Sequence, residues 1–171
     1  MWSPRRLQAL FLVLGIFALD RWTKWQVETH LGLYDTRVVL PGYLNIVRSE
    51  NPGVAFGIFA EGASQTRTFL LVGVSLAVLG VLAAMLWKIE GQDRITGFSL
   101  SLISGGALGN VFDRVRFGMV TDFLDFHVGP YHWYVFNLAD SAICVGACLM
   151  ILSILLTGKA HPPAAAKEAG V

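Results

Sequence analysis

Two aspartates at the ends of apolar segments are the residues best suited to chemistry. Asp140 is the only Asp, Glu, Lys or Arg between Phe126 and Gly158, and a charge at the centre of a bilayer costs about 2.5–3.5 kcal/mol on the translocon scale. Asp122 lies just outside the preceding apolar segment. Two carboxylates that a short connection returns to one membrane boundary predict a pair sharing one proton. The alternative is that Asp140 only caps its helix.

Seven polar residues recur at helical spacing around the ends of these apolar segments. Residues three or four positions apart lie on one helix face and can pair. Asp20 precedes Lys24 by four positions, an order that favours an ion pair, although Lys24 alone could extend its ammonium towards lipid headgroups. Packing alone does not explain a cluster of this kind at one boundary of a small bundle. The seven are Asp20, Lys24, Asn110, Asp113, Arg114, Asn137 and Asp140.

The elements that must position these residues are transmembrane helices. Of the 171 residues, 54% are apolar and 15% are charged, with a mean hydropathy of +0.58, whereas ordinary soluble domains are about 25% charged. Roughly 17–25 apolar residues are enough to cross a bilayer as a helix. Four segments meet that length, so we predict an all-α polytopic membrane protein with a single domain over residues 1–171. The predicted spans are 7–25, 68–87, 95–112 and 137–157.

Four spans place both termini on one side of the membrane. That side carries six Lys or Arg in short segments, and the other carries seven in much longer ones. The higher density predicts cytoplasmic termini, although the raw count does not favour them. Residues 158–171, which are rich in Pro and Ala, predict a disordered tail.

Both long connections fall on the side opposite the termini. In the first, two β-branched runs flank a Pro-Gly dipeptide and predict a β-hairpin over Thr36–Val47. The second, residues 113–135, is predicted to be a loop. In it Asp125 competes with Asp122 for a place in the aspartate pair, but its aromatic neighbours predict a surface segment with the Asp125 carboxylate in water.

Other kinds of site have weaker support in the sequence. His127 and His132 could bind zinc only with a third ligand from a neighbouring aspartate, and solvated histidines are the simpler interpretation. Cys144 and Cys148 are four positions apart in the last span, where small apolar packing is expected. The sequence has no P-loop or nucleotide fingerprint, and a net charge of +1 argues against a nucleic-acid partner. We therefore expect neither a metal nor an organic cofactor.

Five strings of residues form a specific pattern across the membrane region. In order, they are Asp20-Arg-Trp-Thr-Lys24, Asn51-Pro-Gly53-Val-Ala55-Phe56, Gly105-Gly-Ala-Leu-Gly-Asn110-Val-Phe-Asp113-Arg114, Val120-Thr-Asp122-Phe123 and Phe136-Asn-Leu-Ala-Asp140-Ser141. The pattern, its order and the four-span plan resemble bacterial lipoprotein signal peptidase, or signal peptidase II. One departure is Pro52, where the family more often has threonine.

The resemblance implies an intramembrane aspartic endopeptidase without a cofactor. Such an enzyme removes signal peptides from diacylglyceryl-modified prolipoproteins by cleaving before the lipidated cysteine. It would be a multi-pass monomer among the lipids of the bacterial inner membrane, with its active site at the periplasmic face and the hairpin as part of a periplasmic β-cradle. The match makes Asp122 and Asp140 catalytic. It implies substrate-binding roles for Asn51, Asn110, Arg114 and Asn137, and supporting roles for Asp20, Lys24, Gly53, Gly106 and Asp113.

Two other functional classes stay open from the residues alone. Intramembrane acids also serve transporters and channels, in which Asp20, Lys24 and Asp140 could relay protons or bind a cation. Acids clustered at one boundary, in four spans without an internal repeat, argue against that class. A non-enzymatic scaffold is the other alternative. Both should survive the loss of Asp122, whereas a protease should not.

Overall fold

The computed structural model describes residues 2–53 and 65–158, and four long helices account for most of them. All four predicted apolar segments are helical, each within a few residues of its predicted ends. Part of the second motif, between Gly53 and Gln65, and the predicted tail beyond Gly158 lie outside the described residues. The helices are α1 (Pro4–His30), α2 (Gln65–Trp87), α3 (Arg94–Phe117) and α4 (Leu138–Gly158), with a short 3-10 turn at Ile89–Gly91.

Three of the helices are long and apolar enough to cross a membrane by length and composition. Within the described residues these segments are Thr68–Trp87, Arg94–Phe117 and Leu138–Leu156. Helix α1 is also long enough, but Asp20, Arg21 and Lys24 and a polar last turn lower its hydropathy. The prediction that α1 is a fourth span therefore stays a prediction.

Helix α3 is the centre of the bundle. Of its apolar window 67% is buried, against 6% for α2, because α1, α2 and α4 all pack on α3. Glycine permits the closest approaches. A Cβ on Gly106 would collide with the Ala139 carbonyl oxygen of α4, and a Cβ on Gly105 would lie 2.9 Å from the Val13 carbonyl oxygen of α1.

A four-stranded antiparallel sheet closes one end of the bundle. Its order is β1-β2-β3-β4, with β1 at Thr36–Leu40, β2 at Leu44–Asn51, β3 at Val120–Val128 and β4 at Tyr131–His132. The predicted hairpin is confirmed as β1–β2. The prediction of a loop over 113–135 was wrong, since this connection contains β3 and β4. β3 is stabilised by pairing with β2, whose residues lie 69 to 82 positions earlier in the chain, and local sequence patterns do not reveal such a partner.

A β-bulge interrupts the β2–β3 ladder close to Asp122. Ile46 pairs with Leu124 and Ser49 pairs with Asp122, so β2 contains one more residue than β3 over this interval. Bulges of this kind bend a strand and redirect its side chains. The Arg48 side chain reaches α1, where its Nη1 donates to the carbonyl oxygens of Glu28 at 3.1 Å and Leu31 at 3.2 Å.

The opposite end of the bundle is tied together by side chains that cap helix ends. Arg5 Nη1 donates to the Gln92 carbonyl oxygen at 2.9 Å, so α1 is attached to the α2–α3 connection. The Asp93 carboxylate caps α3 by accepting the Thr96 N–H at 3.0 Å. It also accepts the Ser153 hydroxyl of α4 at 3.0 Å, which fixes α3 against α4.

Candidate active site

Asn137 bridges the two aspartates predicted to form a pair. Asp122 lies on β3, and Asp140 lies in the first turn of α4. The Asn137 Nδ2 donates to Asp122 Oδ1 at 2.7 Å, and its Oδ1 accepts the Asp140 N–H at 2.9 Å. In return, Asp140 Oδ2 accepts the Asn137 N–H at 3.3 Å. This reciprocal pattern is a capping box, so Asp140 caps its helix and also belongs to the cluster.

The orientation of Asn110 is fixed by a buried lysine. Lys24 Nζ donates to Asn110 Oδ1 at 3.1 Å, which leaves the Asn110 Nδ2 to donate to Asp140 Oδ1 at 2.7 Å. The Nδ2 of Asn137 also lies 3.3 Å from Asn110 Oδ1. Because the ammonium can only donate, Asn110 must present its N–H group to Asp140.

Asn51 holds the other oxygen of Asp122 in a similar way. The Asn51 Oδ1 accepts the Gly53 N–H at 2.8 Å, and its Nδ2 donates to Asp122 Oδ2 at 3.0 Å. Gly53 has φ +86°, which is a left-handed conformation that favours glycine. A Cβ at Gly53 would also collide with the Leu71 side chain. The turn that orients Asn51 therefore requires glycine.

Lys24 lies at the centre of a buried charged cluster. Its side chain is 0% exposed and its Nζ lies 2.7 Å from both Asp20 Oδ2 and Asp113 Oδ2. Asp20 Oδ1 accepts the Ala139 N–H at 2.9 Å, and Arg21 lies 2.7 Å from Asp113 Oδ1. The predicted Asp20–Lys24 pair is present. The alternative of a lysine that reaches lipid headgroups was wrong, because two buried carboxylates neutralise the ammonium in the interior.

Arg114 adds a positive charge beside the aspartates. Its Nη1 donates to the Asn110 carbonyl oxygen at 3.3 Å, and its guanidinium interacts electrostatically with Asp140 and Asp122. The Arg114 Nε is buried and has no hydrogen-bond partner in the described part of the chain. A guanidinium with an unused donor can bind a carbonyl oxygen of a ligand.

Asp125 is buried in a separate cluster, so the expectation that it faces water was wrong. It is 5% exposed and accepts hydrogen bonds from Asn45 at 2.9 Å and His132 at 2.8 Å. Burial raises the pKa of Asp125, but the bonds from His132 and Asn45 outweigh burial and leave this pKa below its usual range. The His127 and His132 rings stack at 4.6 Å. Residues 2–53 and 65–158 contain no group of three or more His, Cys, Asp or Glu suited to a metal.

Four residues of this region were missed by sequence reasoning. The Thr121 hydroxyl donates to Glu28 Oε1 at 2.7 Å, and Glu28 Oε2 lies 3.4 Å from Arg21. Glu28 follows Lys24 by four positions and so continues the helix face of Asp20 and Lys24. That spacing could have identified Glu28 from the sequence. The missed residues are Arg21, Glu28, Arg48 and Thr121.

Burial makes the Asp122 carboxyl group hold its proton to higher pH than an ordinary aspartate does. The pKa of Asp122 is raised from its ordinary 3.8 to about 6, chiefly by desolvation and in smaller part by the nearby charge of Asp140. Hydrogen bonds from Asn51 and Asn137 act in the opposite direction. Two close carboxylates with one proton between them are the arrangement that activates water in aspartic proteases.

The raised pKa of Asp122 predicts a pH dependence of stability. Below pH 3.8 the carboxyl is protonated in both states. As pH rises towards 6 the unfolded chain loses this proton first, so the free energy of unfolding falls. Above pH 6 it is lower than at acid pH by about 3 kcal/mol. We expect the Tm of the wild type to fall by several degrees more than that of Asp122→Asn between pH 5 and pH 7.5. Parallel Tm curves in one detergent would contradict the raised pKa.

Comparisons with known proteins give one consistent result. A family model described as signal peptidase (SPase) II matches residues 12–156. The chain is 55% identical over 150 residues to a lipoprotein signal peptidase of Solibacter usitatus (strain Ellin6076). The aligned region covers 88% of this chain and 92% of that protein. It is 41% identical over 154 residues to the protein of the same name from Desulforapulum autotrophicum. That alignment covers 90% of this chain and 95% of the relative.

Solved structures support the same fold. One, described as a bacterial membrane enzyme determined by the in meso method at 2.3 Å resolution, has a TM-score of 0.76 at 29% identity over 96% of this chain and 94% of that one. A second structure, with the same description at 1.9 Å resolution, has a TM-score of 0.77 at 30% identity. The match covers 86% of this chain and 92% of that one. The bundle and sheet are therefore the architecture of a known membrane enzyme.

Proposed function

Because this chain belongs to the signal peptidase II family, we propose that it is an intramembrane aspartic endopeptidase whose catalytic residues are Asp122 and Asp140. As a member of that family the protein is a protease that removes signal peptides from prolipoproteins. The observation that carries the assignment is the Asn137 side chain, which contacts Asp122 and the backbone of Asp140 at once. It holds carboxylates from a strand and a helix at one site.

The mechanism follows from the single proton that the pair shares. Asp140, as the ionised member, takes a proton from a water whose oxygen bonds to the scissile carbonyl carbon. Asp122, which holds its proton to higher pH than an ordinary carboxyl, donates to the carbonyl oxygen and stabilises the tetrahedral intermediate. The carbon–nitrogen bond then breaks, and the leaving amine takes up the proton that Asp140 removed from water.

The surrounding side chains serve to bind and orient the peptide. Among the described residues, nothing pairs with the Arg114 Nε donor beside the aspartates, and this donor suits a peptide carbonyl oxygen. The amides of Asn51, Asn110 and Asn137 hold the carboxylates and border the space that the peptide occupies. The supporting positions keep these groups in place by ion pairing, a left-handed turn or close helix packing. They are Asp20, Lys24, Gly53, Gly106 and Asp113.

The membrane placement follows from the chemistry of the substrate. In this proposal α1 is a fourth span, residues 1–171 form one domain, both termini are cytoplasmic, and the sheet and the aspartates lie at the periplasmic face of the bacterial inner membrane. A site at this boundary lets diacylglyceryl chains stay among membrane lipids while the bond before the lipidated cysteine reaches water. In this proposal the enzyme works as a monomer.

The proposal predicts that cleavage depends on the lipid modification. Buried acyl chains contribute roughly 0.8 kcal/mol per CH₂, but most of this is gained when the substrate enters the membrane. The enzyme should therefore recognise the position of the lipidated cysteine more than the length of its chains. The purified protein should cleave a lipidated prolipoprotein at least tenfold faster than the same precursor without lipid, as measured by gel shift of the product, with Asp122→Asn as the blank.

Equal rates for the two precursors would contradict lipid recognition and favour an ordinary peptidase. No cleavage of either precursor by the wild type, in detergent and in liposomes, would contradict the protease assignment itself. A proton-coupled flux that survives Asp122→Asn would instead favour the transporter class.

A further inference from the structure

Resting on the proposed role of Asp122, we infer that Glu28 and Thr121 are positioning residues for the cleavage reaction. Neighbouring residues of a strand point to opposite faces, so β3 directs Asp122 to the aspartate pair and Thr121 to α1. Thr121 and Asp122 are both buried. The hydrogen bond from the Thr121 hydroxyl to Glu28 Oε1, at 2.7 Å, attaches the strand to α1 one residue before Asp122.

This attachment is needed because the sheet alone fixes Asp122 incompletely. The bulge between Ile46 and Ser49 interrupts the β2–β3 ladder on one side of Asp122. Beyond it three paired residues remain before β2 ends at Asn51. A short stretch of ladder next to a bulge can shift, and a displacement of about 1 Å at a reacting group can cost 10²-fold in rate. Glu28 adds a side-chain constraint at this point.

Glu28 is itself held in place by a chain of charged contacts along α1 and α3. Glu28 Oε2 pairs with Arg21 at 3.4 Å, and Arg21 pairs with Asp113 at 2.7 Å. Asp113 pairs with Lys24, which orients the Asn110 amide that donates to Asp140. The two aspartates are thus linked directly through Asn137 and, by a longer path, through α1. In order, that path is Thr121, Glu28, Arg21, Asp113, Lys24 and Asn110.

The test compares Thr121→Val, which removes the hydroxyl and keeps the shape, with Thr121→Ser, which keeps the hydroxyl. Thr121→Val should lower kcat roughly 10- to 100-fold with KM changed less than twofold, and Thr121→Ser should restore most of the rate. Asp122 would also lose some of the hydrogen bonding that lowers its pKa, so the alkaline limb of kcat/KM should move to higher pH. Thr29→Val is the matched control, because the exposed Thr29 hydroxyl bonds the Trp25 carbonyl of its own helix.

A double-mutant cycle decides whether Thr121 acts through Glu28. Glu28→Gln keeps an acceptor for Thr121 but removes the ion pair with Arg21. It should therefore lower kcat less than Thr121→Val does. In Glu28→Leu the acceptor is gone, and adding Thr121→Val should then cause no further loss. Additive losses, or a lower Tm with unchanged kcat and pH profile, would overturn the inference. Asp122→Asn separates the catalytic proposal from the positioning proposal. If Asp122→Asn is inactive and Thr121→Val is fully active, only the positioning role is rejected.

Discussion

Asp122→Asn and Asp140→Asn should each lower kcat by roughly 10⁴-fold or more, which is the scale of losing one member of a catalytic unit. An amide can neither accept the proton of the attacking water nor share a proton with its partner. It also has an N–H group that would face existing donors, since Asn137 Nδ2 donates to Asp122 and Asn110 Nδ2 donates to Asp140. The measurement is single-turnover cleavage of a lipidated prolipoprotein by purified variants.

The double variant and a third aspartate make this prediction specific. Because the two carboxyl groups act as a unit, the double variant should be no slower than either single variant. Asp125→Asn is the matched control, since Asp125 is buried on the same strand but bonds Asn45 and His132 instead of the pair. It should retain most of the activity at a lower Tm. Residual activity above about 1% in either single variant, with the fold intact, would remove that aspartate from the mechanism.

Lys24→Ala should cause the largest loss of stability among substitutions near the site. The lysine is fully buried between Asp20 and Asp113, and removing one partner from buried ion pairs costs roughly 3–5 kcal/mol because a charge is left uncompensated. Activity should fall as well, since Asn110 would lose the donor that fixes its amide. The measurements are Tm and cleavage kinetics in one detergent.

Asp20→Asn should be the milder change. Lys24 would keep its pair with Asp113, and the amide oxygen of the new side chain could still accept the Ala139 N–H. Lys88→Ala is the matched control, because Lys88 is exposed at the other end of the bundle and should leave Tm unchanged. A Lys24→Ala protein that melts at the wild-type temperature would show that the buried cluster does not brace the fold.

The features that sequence could predict are those governed by local pattern. Long apolar runs predicted the four helices, and β-branched runs around Pro-Gly predicted the β1–β2 hairpin. Helical spacing predicted the Asp20–Lys24 pair. The five strings identified the family, which the comparisons confirm. In each case the physical cause lies within a few neighbouring residues, so it can be read along the chain.

The features that escaped prediction depend on residues far apart in the chain. β3 exists because β2 pairs with it, and Asp125 is buried because Asn45, 80 positions earlier, donates to it. Lys24 can be buried because Asp113, from another helix, pairs with its ammonium group. Thr121 and Glu28 form an ordinary pair of residue types, and only the packing of β3 against α1 brings them to 2.7 Å. No single-sequence periodicity contains that information.

The carboxylate of Asp20 completes the first turn of α4 by accepting the N–H of Ala139, which lies 119 positions later in the chain. This distance along the chain has a consequence for the order of events during biosynthesis. A ribosome releases α1 long before α4, and until the last helix arrives the protein has neither Asp140 nor the Asn137 bridge. If Asp140 is catalytic, as proposed, the newborn chain is inactive while its own apolar segments enter the membrane. On that assignment, the site is complete only when α4 packs against α1.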